Sequence, residues 1–429
     1  MLNSIEFCRI LKIIIIFAIE KLYKMEQKNK YTVIDLFAGC GGLSLGLYQS
    51  GWNGVFAIEK NPCAFSTLKF NLIDKCDHFD WPSWLKKDVI DIVDLNKKYR
   101  NELKQLRGQI DLVAGGPPCQ GFSLAGKRVE DDIRNQLVFS YIDFIDLVRP
   151  KMLLFENVKG FTCSFNRDNS DAVPYSTIVE QKLEELGYNV DARVIDFSAY
   201  GVPQRRKRFI LMGILQDDKK KSASASEFFS QLEAKRSLFL QEKGLDLYCT
   251  VEDAISDLLQ SNGETDTPDR KGFKSSFYGK PISAFQRFVR KGVTAKIPNS
   301  HSFPHHTNAK KQMFVQLLAN YPVKGKRIDG EARAAWGIKQ RGLTILDPKQ
   351  VAPTLTNMPD DYLHYCEPRI LTVREYARIQ SFPDWYEFKS KYTTGGDMRK
   401  KEVPRYSQIG NAIPPLFAEQ VGNVLKEML

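Results

Sequence analysis

Ile110-Asp111-Leu112-Val113-Ala114-Gly115-Gly116-Pro117-Pro118-Cys119-Gln120-Gly121-Phe122-Ser123 is the stretch around which the rest of the chain is organised. Its first five residues lean apolar and read as a buried strand. Two glycines and two prolines then end that strand sharply, because proline cannot donate to a ladder and glycine takes dihedrals closed to other residues. Cys119 is thereby held out at the carboxyl end of a strand, where open α/β sheets bind their ligands. Most free cysteines are small buried hydrophobes. A Pro-Pro shoulder with a Gln-Gly-Phe-Ser tail serves no such purpose, so Cys119 reads as a nucleophile.

Working outward toward the N-terminus, Tyr31 to Phe37 reads as a strand, Ala38-Gly39-Cys40-Gly41-Gly42 as a turn, and Leu43 to Gln49 as a helix. Strand, glycine turn and helix open a nucleotide-type site, since Gly39 and Gly41 let backbone approach a ligand closely. A second strand, Gly54 to Glu59, ends in a carboxylate about 20 residues on, the spacing at which an acid takes ribose hydroxyls. A third strand, ending Leu85-Lys86-Lys87-Asp88, would bring Asp88 to an adenine amino group.

Toward the C-terminus, apolar residues at 137, 138, 141, 142, 145 and 148 predict a helix over Asn135 to Val148. Met152 to Phe155 is then a strand that delivers Glu156-Asn157-Val158 to its carboxyl end. A helix near Ser176 to Leu186 and a strand from Val190 to Phe197 follow, and Gln204-Arg205-Arg206-Lys207-Arg208 leads into Phe209 to Leu215. A cation run directly before a core strand predicts contacts at the rim of the site. Strands alternating with helices predict an α/β fold with a parallel, doubly wound sheet, Glu156 and Cys119 sharing one rim.

After Gln216 the texture becomes linker-like, and the residues up to about 360 mix basic and aromatic side chains, as in Phe285 to Val293. Such a mixture suits a nucleic-acid groove or an amphipathic helix equally. His301, His305 and His306 lack the companions of a metal site, and none is expected. Thr372 and Glu375 form a capping box for a helix inside 369–384 that reads as scaffolding. Gln408 to Pro415 is a turn, followed by a terminal helix to Leu429.

The formal net charge of +11 points to a polyanionic partner. With 43% hydrophobic and 26% charged residues the composition is that of a folded soluble enzyme. The eight cysteines form no CxxC pair, which fits a reducing cytoplasm and gives no zinc ribbon. The apolar run Ile10 to Ile19 is about half the ~20 residues of a membrane span, and no small-residue cleavage site follows. Residues 1–30 are therefore read as an N-terminal extension, with Met25 as the expected working start.

With these pieces in order, the chain resembles the cytosine-5 DNA methyltransferases. The resemblance is carried by Asp35-Leu36-Phe37-Ala38-Gly39-Cys40-Gly41-Gly42, Gly116-Pro117-Pro118-Cys119-Gln120, Glu156-Asn157-Val158 and Gln204-Arg205-Arg206-Lys207-Arg208. Arg374-Glu375 with Gln380-Ser381-Phe382-Pro383-Asp384, and Gln408-Ile409-Gly410-Asn411-Ala412, complete it in the family's order. It covers residues 31–215 and 365–429, leaving the region between to match in length and placement. It implies a Rossmann-like catalytic domain at 31–215, a mostly irregular target-recognition lobe at 216–362, and a return segment at 363–429 that completes the catalytic domain.

The resemblance also implies S-adenosyl-L-methionine as methyl donor. Phe37, Gly39, Gly41, Glu59, Asp88, Pro118 and Asn411 would form its pocket, with Phe37 at the adenine, Glu59 on the ribose and Asp88 at the adenine amino group. Cys119 would add to C6 of a cytosine flipped out of double-stranded DNA, turning the ring into an enamine, while Glu156 supports N3. Arg206 and Arg208 would orient Glu156 and the cytosine O2 and favour the Cys119 thiolate. Gly121, Gly126, Lys127, Arg128 and Arg134 suit a loop that closes over DNA. A cognate restriction endonuclease as functional partner, a monomer and no membrane partner complete the expectation.

Three rivals are separable. An RNA cytosine-5 methyltransferase would carry a smaller recognition region. A catalytically inactive DNA-binding regulator has no reason to keep Cys119, Glu156, Arg206 and Arg208 together. An amino-methylating enzyme needs an Asn/Asp-Pro-Pro-aromatic tetrapeptide, which the sequence lacks.

Overall fold

The structure, a computed structural model, describes residues 31–118, 135–163, 173–216, 224–338, 342–393 and 402–429. The 1–30 extension, Cys119 and the segment from Gln120 to Arg134 lie outside the described residues.

A six-stranded sheet forms the centre: β1 (Thr32–Leu36), β2 (Asn53–Ile58), β3 (Leu112–Gly115), β4 (Met152–Val158), β5 (Tyr188–Asp196) and β6 (Lys207–Leu215), in the order β2-β1-β3-β4-β6-β5. β1 pairs parallel with β2 and β3, and β3 parallel with β4. β6 runs antiparallel to both β4 and β5, so the wholly parallel sheet expected from the sequence is corrected to a mixed one. The cause is the connection. Ten residues, including the turn Phe197–Tyr200, join β5 to β6, and a parallel crossover needs a dozen or more.

The strand expected to end at Asp88 does not form, and the outer edge of β2 carries only an isolated bridge between Gly54 and Phe79. Lys86, Lys87 and Asp88 offer no apolar face to bury after Leu85. Asp91 is instead recruited as a helix cap, its side chain accepting from the backbone N–H of Val93 at 3.0 Å.

The principal helices are α1 (Gly42–Gln49), α2 (Pro62–Leu68), α3 (Asn135–Val148), α4 (Tyr175–Glu185), α5 (Ala225–Glu242), α6 (Val373–Ile379), α7 (Arg405–Asn411) and α8 (Pro415–Glu427). Period-two alternation along the strands sends successive residues to opposite faces. Val33, Leu112, Leu154 and Met212 face a core shared with Leu45 of α1, Phe228 of α5 and Leu416 of α8. Ile34, Val113, Leu153 and Phe155 face the other core, with Tyr141 of α3 and Leu183 of α4. α1 and α8 approach so closely that a Cβ on Gly46 would lie 2.4 Å from that of Ala418.

The linker-like texture after Gln216 gives way at Ala225 to the 18 residues of α5, whose Phe228, Phe229 and Leu232 are buried in the first of these cores. Farther along, Phe314, Leu317, Ile328, Leu343, Ile345 and Leu363 form a small separate core around a three-stranded sheet.

α6 is buried along its whole length, arginines included. Thr372 and Glu375 make the expected capping box, and Arg369 grips the Glu375 carboxylate with bonds of 2.8 and 2.7 Å. Arg378 spans from Asp384 to Asp257, and Arg374 reaches the Asn299 carbonyl at 3.1 Å, so charges on one short helix fasten distant parts of the chain together.

Candidate active site

The glycine turn stands at the carboxyl end of β1. Phe37, Gly39 and Gly41 all have positive φ, of 59°, 58° and 88°. For Phe37 this is an uncommon backbone state, held by the turn around it. A Cβ on Gly39 would meet nothing within 4 Å, so the turn faces open space; one on Gly41 would lie 2.7 Å from the Tyr386 hydroxyl. That hydroxyl donates to the Cys40 carbonyl at 2.5 Å.

Glu59, one residue past β2, accepts from the backbone N–H of Gly39 at 2.9 Å and from that of Asn61 at 2.7 Å, one to each carboxylate oxygen. Burial pushes its carboxyl above the ordinary range, with the Asn61 and Gly39 N–H groups opposing. Asp35, buried one turn below, accepts from the Ser44 hydroxyl and is pushed by burial to about 7.

Asp88 sits nearby but differs from expectation. The chain passes Glu59 through a 3.1 Å bond from the Ile90 N–H to the Glu59 carbonyl, while the half-exposed Asp88 pairs with Lys86 at 2.6 Å. It lines a cavity with Lys86, Val89 and Ile90. Asn411 is the exposed last residue of α7, and the turn after it abuts the glycine turn: a Cβ on Gly42 would lie 2.4 Å from the Ile413 carbonyl.

Glu156 and Arg208 meet on the rim, with Nε of Arg208 2.9 Å from Oε1 of Glu156. Antiparallel register makes this possible, since Val158 stands opposite Arg208 and Glu156 opposite Ile210. Gly116 leaves room for the carboxylate, because a Cβ there would lie 2.8 Å from Glu156 Oε2. Asn157 donates to the Pro117 carbonyl at 3.2 Å, tying the Pro117-Pro118 shoulder to the end of β4. The described chain therefore stops at Pro118 beside the Glu156–Arg208 pair, and Cys119, the next residue, lies outside it.

Arg206 departs from the rim contact predicted for the cation run. Period two turns Arg205 and Lys207 outward and Gln204 and Arg206 inward. Arg206 is fully buried and donates to the carbonyls of Leu355 at 3.2 Å and Gly410 at 2.7 Å. Gln204, Gln380 and Gln408 are functional residues that motif spacing alone does not mark, although each lies within one of the motifs. Gln408 Oε1 accepts from the Thr67 hydroxyl at 2.7 Å, and its amide nitrogen reaches the Val403 carbonyl at 3.0 Å. The available signal was an uncharged polar residue at an inward position, a pattern that buried hydrogen bonding requires.

The model of the C-5 cytosine-specific DNA methylase family matches residues 31–427. The chain belongs to that family. This methylase is 32% identical to the type II methyltransferase M.XorII of Xanthomonas oryzae pv. oryzae, across 92% of the chain and 84% of the relative. It is 31% identical to the type II methyltransferase M.DdeI of Desulfomicrobium norvegicum, across 90% and 86%. Among solved structures, one described as a DNA modification methyltransferase encoded within an E. coli prophage is similar with a TM-score of 0.62 and 25% identity, across 93% of this chain and 99% of that one. The methylase is thus a DNA cytosine-5 methyltransferase that draws on a methyl donor. Among the described residues no three His, Cys, Asp or Glu side chains are grouped to hold a metal ion. No helix there is long and apolar enough to cross a membrane.

Proposed function

We propose that this methylase transfers the methyl group of S-adenosyl-L-methionine to C5 of a cytosine flipped out of duplex DNA, with Cys119 as nucleophile and Glu156 as acid. The observation that carries the reading is the Glu156–Arg208 pair at 2.9 Å, against which Gly116 and the Asn157-anchored Pro117 set the chain that leads into Cys119.

The residues at the glycine turn fit the donor. Gly39 opens onto free space, the Glu59 carboxylate held beside it can accept from a ribose diol, and Phe37 stands at the strand end for an adenine. Asp88 would turn from Lys86 to the adenine amino group, Gly41 and Pro118 would border the cavity, and Asn411 would close it. When bound, the donor supplies an electrophilic methyl on a sulfonium.

The Cys119 thiolate forms a bond to C6, the C5–C6 π pair becomes a C4–C5 double bond, and the C4–N3 π pair moves onto N3. Glu156 supplies a proton or hydrogen bond at N3, leaving C5 as an enamine carbon that can be methylated. Arg208 keeps the carboxyl group in place and leaves donors toward the cytosine O2. Once C5 carries the methyl group, loss of the C5 proton to a base restores the C5–C6 double bond and expels the thiolate, and N3 returns its proton to Glu156.

The segment 216–362 would supply the DNA-reading surface and contacts that offset the few kcal/mol of base flipping; 31–215 and 363–429 form the catalytic domain. We further propose that the methylase acts as a monomer in the cytoplasm, protecting sites cut by a cognate restriction endonuclease. Duplex DNA containing 5-fluorocytosine tests the chemistry, because fluorine at C5 cannot leave as a proton. A denaturation-stable adduct is expected with the native chain and none with Cys119→Ala. Equal adduct from both, or none from either, overturns the assignment.

A further inference from the structure

Three buried polar side chains make a connected set beside the reacting groups. Gln204 accepts from the Leu355 N–H through Oε1 at 2.9 Å and donates through Nε2 to Gln380 Oε1 at 2.8 Å. Gln380 in turn donates to the carbonyls of Ile409 at 2.8 Å and Ala412 at 3.1 Å. Arg206 donates to the Gly410 carbonyl between them and to the Leu355 carbonyl. Leu355 is thus held at both its N–H and its C=O.

The Ile409 and Gly410 carbonyls lie in the last turn of α7 and Ala412 is its C-cap, where a cation is favoured; the Ile409 carbonyl also accepts from the Ala412 N–H at 3.1 Å. There is no slack around them. A Cβ on Gly410 would lie 2.4 Å from the Thr356 carbonyl, and the Ile413 carbonyl presses equally close on Gly42. Among the described residues Arg206 Nε is buried without a partner, so the guanidinium is aimed by its two carbonyl bonds alone. Asn411 stands in the middle of this clamped segment.

We propose that Gln204, Arg206 and Gln380 form a latch that fixes Asn411 against the glycine turn, and so sets affinity for the methyl donor. This rests on the reading of Asn411 as part of the donor pocket. The three are positioning residues, acting through α7 and touching neither donor nor cytosine. Arg205, between two latch residues, also ties down residues 352–356, which return from the inserted lobe, through its backbone bond to Ala352 at 2.8 Å and the Thr354 hydroxyl on its carbonyl at 2.6 Å. Donor site and lobe therefore share one anchor.

The test uses the full chain, with S-adenosyl-L-methionine and a methylatable duplex, and checks melting temperature and duplex binding for every variant. Gln380→Met, which keeps length and loses both donors, should raise the KM for the donor about ten-fold while kcat changes by less than about two-fold. Arg206→Lys keeps one donor for Gly410 and should recover most of the loss caused by Arg206→Met, which guards against a Gln380 variant that fails to fold. In the double variant with Asn411→Ala, the KM should rise no further than in the worse single variant. Additive effects, or a fall in kcat at unchanged donor KM, would overturn the latch. If Asn411→Ala alone leaves the donor KM unchanged, the donor-pocket reading itself fails, which is a separate result.

Discussion

Arg378→Met probes the buried hub of α6 in a way that the structure makes quantitative. All five N–H groups of Arg378 have acceptors: Asp384 from Nε at 3.0 Å and Nη2 at 2.7 Å, Asp257 from Nη2 at 3.1 Å and also from Nη1, and the Ala254 carbonyl at 3.0 Å. Methionine fills a similar volume and supplies none of them. Asp257 would keep Arg290 at 3.0 Å, but Asp384 would be left with Arg374 no nearer than 3.8 Å. Removing one partner of a buried pair costs about 3–5 kcal/mol, and one surviving partner per acid places this case near the middle, about 4 kcal/mol. The pH dependence has a definite sign. In the native chain burial pushes the Asp384 carboxyl up, but the neighbouring Arg378 charge and hydrogen bonds outweigh it and hold it below the usual range. Its contribution is therefore present above the ordinary carboxylate pKa and lost as pH falls. In the variant only Arg374 and the Tyr278 hydroxyl oppose burial, so the part of this contribution that Arg378 supplies is missing above the ordinary carboxylate pKa. Urea unfolding followed by circular dichroism should show a gap between the two chains that is wider at about pH 6 than at about pH 3. A loss below about 1 kcal/mol, or one equal at both pH values, would refute the reasoning.

Two further outcomes follow from the acids around the glycine turn. Glu59→Gln should weaken donor binding while leaving duplex binding unchanged. Because burial raises the Glu59 carboxyl, native donor affinity should fall as pH drops through that raised value, and the variant should lose this slope; calorimetric titration reads both. Asp35→Asn should flatten stability against pH. Burial takes Asp35 to about 7, so its folded-state advantage is complete below pH 3.8 and lost as pH rises through about 7. Above that, thermal and urea unfolding should find the variant more stable by up to about 4 kcal/mol, and a variant with the native pH profile would reject the account.

Much of the architecture is legible in the sequence because it depends on short-range pattern. The spacing of Leu137, Val138, Tyr141 and Ile145 fixes α3, and the Thr372–Glu375 box marks the start of α6. Glu59, Glu156 and Arg208 are found where the ends of predicted strands put them. Direction is not legible, since an apolar run reads the same whether a strand points up or down, and strand–helix alternation alone predicts a parallel β6. Nor is burial of a cation. Arg206 looks like its surface neighbours until the Leu355 and Gly410 carbonyls come into view from 149 and 204 positions away. Asp88 fails for another reason: an apolar reading of residues 85–91 ignores the capping preference of Asp91.

The reversal of β6 deserves its consequence. Had it run with its neighbours, its contribution to the reaction cleft would have been Ile214 and Leu215, at the finish of a greasy segment. Reversed, it enters the cleft at its beginning, with Lys207 and Arg208. A positive charge written upstream of one hydrophobic segment can then neutralise a negative charge written downstream of another, and neither hydrophobic segment has to accommodate an ion. The interior and the chemistry are thereby encoded in separate letters of the sequence, so each can be altered by mutation without rewriting the other.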